Sequence, residues 1–338
     1  MGSSAFGSRC LGLAIPRNPK LGFPAHQYHS YLNLDAIVLR AVPVCETSDT
    51  IDHAVNTLDL NRLQELRSHT FHLSPATRLT TPDQALSFVN ERGFVYFWPI
   101  KGILLPTLWT ATAGDRPVPN DHDDPGQVTW GWKDDSLGKR IWYYGKILRR
   151  KATFISLEVA PYFYALSENY GSPEEDYLIA YEEGRLTQAA KQIYATLLDK
   201  GSLDTISLRK EARLLNAKES VFNRALEDLQ KDFKILPVGI AEAGAWKYAF
   251  RYDITTRHMP ELPEQARPIG EAEARRKLVD VYLASVGATQ VREMVKLFGW
   301  PPELTQRTVA WLVQNDRLVD QVSHPQMSGE WVALPELV

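Results

Sequence analysis

Cysteine is nearly absent: Cys10 and Cys45 are the two in 338 residues. Two cysteines make neither a disulfide framework nor a thiolate zinc site, and their scarcity suits a reducing compartment. Long apolar runs are missing as well. None approaches the ~18 residues that suggest a membrane span, and the opening stretch Met1 to Leu13 lacks a strong secretory pattern, so a cytoplasmic protein is expected. An excess of one charge is also lacking. With 38 Lys and Arg against 41 Asp and Glu the formal net charge is −3, and any affinity for a polyanion must rest on local asymmetry. There is no phosphate-binding glycine loop, no nucleophile elbow and no His-Glu-x-x-His. Asp121-His122-Asp123-Asp124 offers oxygen ligands, but adjacent residues rarely converge on one ion, and with Pro125-Gly126 following they read as a polar surface turn. No metal and no small-molecule cofactor are expected.

What is present is ordinary globular material, 44% hydrophobic and 23% charged, in a chain long enough for two or three domains. Residues 1–50, broken by Pro16, Pro19 and Pro24, predict an extended arm. Residues 51–180 predict an α+β domain rich in Trp and Tyr. Within it Ile51 to Leu73 reads as helix, and a second helix is marked by Thr81 as N-cap, Pro82 at the first turn and Gly93 as the stop. Short β-like pieces follow at Phe94–Trp98, Arg140–Tyr144 and Ala152–Leu157.

From Leu186 the pattern sharpens into an order that occurs twice. Leu186, Ala189, Ala190, Ile193 and Leu197 form a helical stripe ended by Gly201. Ser207 can cap a second helix, and Val221, Phe222, Ala225, Leu226 and Leu229 line a third. Lys234–Gly239 and Trp246–Asp253 then read as a hairpin, with Trp246, Tyr248, Phe250 and Tyr252 alternating. Glu271–Val286, a helix capped by Thr289, a helix opened by Pro301 and Pro302, and a hairpin over Arg317–Ser323 and Glu330–Leu334 restate the series. Three helices and a two-stranded hairpin are the winged-helix order. The expected fold class is therefore α+β, with tandem winged-helix domains at 181–257 and 271–338, a Pro-rich linker at 258–270, and an aromatic-rich β-containing N-terminal unit.

A helix fits the major groove of duplex DNA, and a wing can contact its backbone. Double-stranded DNA, intact or damaged, is the expected partner. The first winged unit offers Arg209, Lys210, Arg213, Arg224, Lys247 and Arg251, although Glu227 and Asp228 on its third helix would repel phosphate. The second offers Arg307. The densest charge lies earlier, where Lys139, Arg140, Lys146, Arg149, Arg150 and Lys151 occur without an acid between them. Cations neutralise phosphate, and the neighbouring aromatics can stack on an extruded base; Trp130, Trp132, Trp142 and Tyr143 are the stacking candidates. Against this stands the acidic stretch Glu168 to Glu183, which could absorb the basic run by intramolecular pairing, and the simpler role of the tryptophans as core.

The segments Arg276-Lys277-Leu278, Tyr282-Leu283, Gly287-Ala288-Thr289 and Phe298-Gly299-Trp300 resemble the last winged helix of the winged-helix DNA glycosylases of the AlkZ/YcaQ type. The resemblance implies several winged helices around a β-rich element, and a repair enzyme that excises alkylated bases or unhooks crosslinks. It also implies an early Gln-x-Asp or Gln-x-Gln motif that positions the attacking water. The corresponding segment here is Ile103-Leu104-Leu105-Pro106-Thr107, which has neither glutamine nor carboxylate, so the resemblance assigns no catalytic residue. A relocated carboxylate from Asp121, Asp123, Asp124 or Asp134 is one alternative. A non-enzymatic regulator or DNA-structure sensor is another, and a protein scaffold a third.

Overall fold

The computed structural model describes residues 56–119, 123–244 and 247–338. The arm expected over residues 1–50 lies outside them, as do Asp121, His122 and Trp246.

The local signals upstream of the first sheet act as their chemistry requires. Thr81 Oγ1 accepts from Gln84 N at 3.2 Å, Pro82 fills the first turn, and Gly93 ends the helix Pro82–Arg92 at φ 73°. The chain then enters strand β1 (Phe94–Tyr96), helix Leu108–Ala113, helix Val128–Ser136, and strands β2 (Tyr143–Lys146) and β3 (Ala152–Ile155). These strands pair antiparallel in the order β1-β3-β2.

The same series returns twice. Helix Gln188–Lys200, β4 (Leu203–Asp204), helices Thr205–Glu211 and Glu219–Lys231, and β5 (Ile235–Ala241) with β6 (Ala249–Ile254) form a sheet ordered β4-β6-β5. Helix Glu271–Val286, β7 (Ala288–Thr289), helices Val291–Phe298 and Pro302–Gln314, and β8 (Val319–His324) with β9 (Met327–Ala333) form a sheet ordered β7-β9-β8. The α+β architecture is thus three winged-helix series. The first, within the aromatic-rich N-terminal unit, was not legible in the sequence, because its second and third helices are short and separated by a polar loop.

Several local expectations are corrected. Trp130 and Trp132, offered as stacking candidates, lie on the helix Val128–Ser136. Helix Thr205–Glu211 is capped by Asp204, whose carboxylate accepts from Ile206 N and Ser207 N, and not by Ser207. Thr289 belongs to β7, and Gln290 stands at the next N-cap. The stretch expected as a linker over 258–270 contains helix Glu261–Ala266, and it buries Met259, Leu262 and Ala266 in the largest core cluster. That core joins the first and last winged units, while the middle unit has its own.

The helix Leu60–Thr70 also departs from the expected division, docking on the last unit. Arg67 donates to Val286 O and Ala288 O, both at 2.9 Å, which satisfies the last carbonyl of helix Glu271–Val286 and the first of β7. Thr70 donates to Ser285 O at 2.6 Å. Gly287, at φ 76°, makes the close approach: a Cβ there would lie 2.7 Å from Leu63 and 2.8 Å from Leu337.

Candidate nucleic-acid interface

In a winged helix the third helix is the expected groove reader, and here the three third helices have different surroundings. On Val128–Ser136, Lys133 turns inward and its side chain is 0% exposed. Its ammonium lies 4.1 Å from the centre of the Trp130 ring, 4.6 Å from Phe250, 5.6 Å from Tyr248 and 5.9 Å from Phe97. Lys133 Nζ pairs with Asp134 Oδ1 at 2.8 Å and donates to Tyr248 OH at 2.9 Å, and Tyr248 OH donates to Asp134 at 2.9 Å. Burial brings the amine down to about 8, with Asp134 pulling the other way, and burial raises the Tyr248 phenol. The cage joins the first unit to the wing of the middle one. Read in sequence, Lys133-Asp134-Asp135 is a charged turn, and no local signal announces that Tyr248 will meet it.

Helix Glu219–Lys231 is held against the first unit. Lys146 Nζ reaches Glu227 at 2.7 Å, Arg150 Nε reaches Asp228 at 2.6 Å, and buried Gln230 accepts from Lys146 N at 3.1 Å. The two carboxylates that would have repelled phosphate therefore serve the basic run. The acidic stretch from Glu168 does not: Glu168 and Glu183 pair with Arg185. Arg149 donates to Lys296 O at 2.5 Å, tying the run to the last unit. Within the expected basic interface, Lys146, Arg149 and Arg150 are thus corrected to seam residues.

The remaining cations divide in the same way. Arg209 donates to Leu214 O at 3.2 Å and to Ala217 O at 2.6 Å and holds the turn after its helix. Arg224 is exposed and shares Asp228 at 3.4 Å. Lys139, Arg140, Lys210, Arg213, Lys247, Arg251 and Arg307 are exposed, and Lys151 is half-buried. Among the described residues none of these eight enters an ion pair.

The stacking candidates do not survive. Trp132, Trp142 and Tyr143 are buried. Trp142 Nε1 donates to Ser136 Oγ at 3.0 Å, and Tyr143 packs on Phe233 with centroids 4.5 Å apart. Trp130 is half-buried and occupied by Lys133 and Phe97. Among the alternative carboxylates, Asp124 takes both guanidinium nitrogens of Arg116, at 2.9 and 2.6 Å, and that hydrogen bonding holds its carboxyl below the usual range. Asp134 is engaged in the lysine cage.

The segment 103–107 does the work of folding. Ile103 and Leu104 pack against the largest core, Leu105 is buried within it, Pro106 O accepts from Tyr96 N at 3.0 Å, and Thr107 caps helix Leu108–Ala113. These side chains supply no group to orient a water beside a sugar.

Three sheets of one strand order, each behind three helices, and two unit-joining charge seams define a tandem winged-helix protein. The family model described as AlkZ related matches residues 79–299, more than half of the chain, and the chain belongs to that family. Among solved structures it is similar to the Streptomyces sahachiroi DNA glycosylase AlkZ, at 14% identity and a TM-score of 0.51, over 83% of this chain and 71% of that one. That likeness is one of fold. No curated protein matches.

Proposed function

We propose that this DNA-repair-related chain binds duplex DNA through the turn Gly138–Arg140 together with the wing and second helix of the middle unit, without the excision chemistry that its family resemblance implies. The observation that carries this is the sorting of the cations. The inner half of the basic run is spent on Glu227, Asp228 and the Lys296 carbonyl. Its outer residues Lys139 and Arg140 have no ion pair among the described residues and stand beside the wing, since a Cβ on Gly138 would lie 2.8 Å from Val238 O. Lys247 and Arg251 on that wing, and Lys210 and Arg213 at the helix packed on β6, extend the same kind of surface. Exposed unpaired cations release counterions from phosphate, whereas paired ones must first break a bond.

Replacing Lys139 and Arg140 together by Ala is expected to weaken binding to duplexes of any sequence and to flatten the salt dependence by about two units of slope. An unchanged affinity and slope would remove the turn from the interface. Binding without excision is favoured over catalysis by the apolar packing of Ile103, Leu104 and Leu105, where a polar motif would be needed.

A further inference from the structure

We infer that the last winged unit carries a stacking site for an unpaired base, built from Trp311 and Arg276 on the open face of helix Pro302–Gln314, an inference that rests on the DNA-binding reading above. Trp311 is 40% exposed, more than any other tryptophan among the described residues. Arg276 donates from Nε to Ala272 O at 2.9 Å, which lays its guanidinium 4.1 Å from the centre of the Trp311 ring. A flat aromatic backed by a flat cation is thereby held at the surface of two packed helices.

The neighbours favour a nucleic-acid occupant. One turn before Trp311, Arg307 is exposed without an ion pair among the described residues, and Gln306 and Gln314 add exposed amides. Glu303, at the start of the helix, is the acid on this stretch. The other two third helices are less suited: one has its Lys133 and Asp134 tied up in the cage and presents Asp135, and the other is held through Glu227 and Asp228. A bulky indole in the last turn of a helix is poorly suited to reading paired base edges, which calls for hydrogen-bonding side chains. It suits a base whose face is already free, at an overhang, gap or duplex end, where stacking is independent of sequence. Arg307 would meet the adjoining phosphate.

The test compares a short blunt duplex with the same duplex carrying a single-stranded overhang, using the full chain and its Trp311→Ala, Trp311→Phe and Arg276→Ala variants. Wild type should prefer the overhang. Trp311→Ala should lose about tenfold in affinity for the overhang and little for the blunt duplex, and Trp311→Phe should keep most of the preference. Arg276→Ala should fall between them. Equal affinities of Trp311→Ala and wild type for the overhang, or equal losses on both duplexes, would overturn the site while leaving the DNA-binding reading intact. Failure of wild type to bind either duplex would overturn both.

Discussion

Replacing Lys133 by Met tests whether burial or the aromatic rings governs the cage at the seam between the first and middle units. Methionine keeps most of the side-chain volume among Trp130, Phe97, Tyr248 and Phe250 but removes the ammonium. Asp134 then keeps the Tyr248 hydroxyl as hydrogen-bond donor at 2.9 Å and remains 17% exposed, so its charge is not stranded in a dry interior. The change at neutral pH should be small, within about 1 kcal/mol of zero, because the lost hydrogen bonds are offset by relief of the ammonium's desolvation. The pH dependence is more discriminating. The folded amine titrates at about 8 instead of 10.5. Below pH 8 the folded and unfolded chains both hold the proton, and no slope arises from this group. Between pH 8 and 10.5 the folded chain has released a proton that the unfolded chain still binds, so wild-type stability rises through that window, by up to about 3 kcal/mol. The Met variant lacks this contribution. Urea unfolding of both proteins from pH 7 to 11 gives the difference curve, in which other titrating groups largely cancel. The wild-type advantage should grow above pH 8. Parallel curves would refute the reasoning and mean that the ring faces, which favour the ammonium, offset its desolvation.

The seam pair Arg150 and Asp228, partly buried at 2.6 Å, should show a coupling of about 1 kcal/mol in a double-mutant cycle to Ala followed by urea unfolding, and a coupling near zero would remove it from the seam. Gly287→Ala should cost about 2–4 kcal/mol by chemical denaturation, because φ 76° strains an L residue and the new Cβ meets Leu63 and Leu337; a neutral substitution would show that helix Leu60–Thr70 yields easily. Purified protein incubated with duplexes carrying N7- or N3-alkylated purines should release few abasic sites, and rapid turnover would point to a catalytic group outside residues 103–107.

The helix stops, proline starts and alternating strands of residues 186–334 were legible because they are local. A glycine beyond the last apolar turn, or a proline at the first, acts on its own backbone wherever the chain packs. The family likeness was legible for the same reason, as short runs in a fixed order. The first winged series was not, since its strands are three or four residues long and its helices lie among aromatics whose burial has no period. The proposed interface was legible only as a supply of cations. Lys146 and Lys139 have the same chemistry and sit in the same run. One meets Glu227, some eighty residues downstream, and the other meets no acid among the described residues. Whether a charge remains available to phosphate depends on what another part of the fold brings within about 4 Å of it, and the same holds for Lys133 in its cage and Trp311 in the open. Sequence determined which groups the protein has; tertiary packing decided which are spent internally, because Coulomb and ring contacts act through distances that only the folded chain sets.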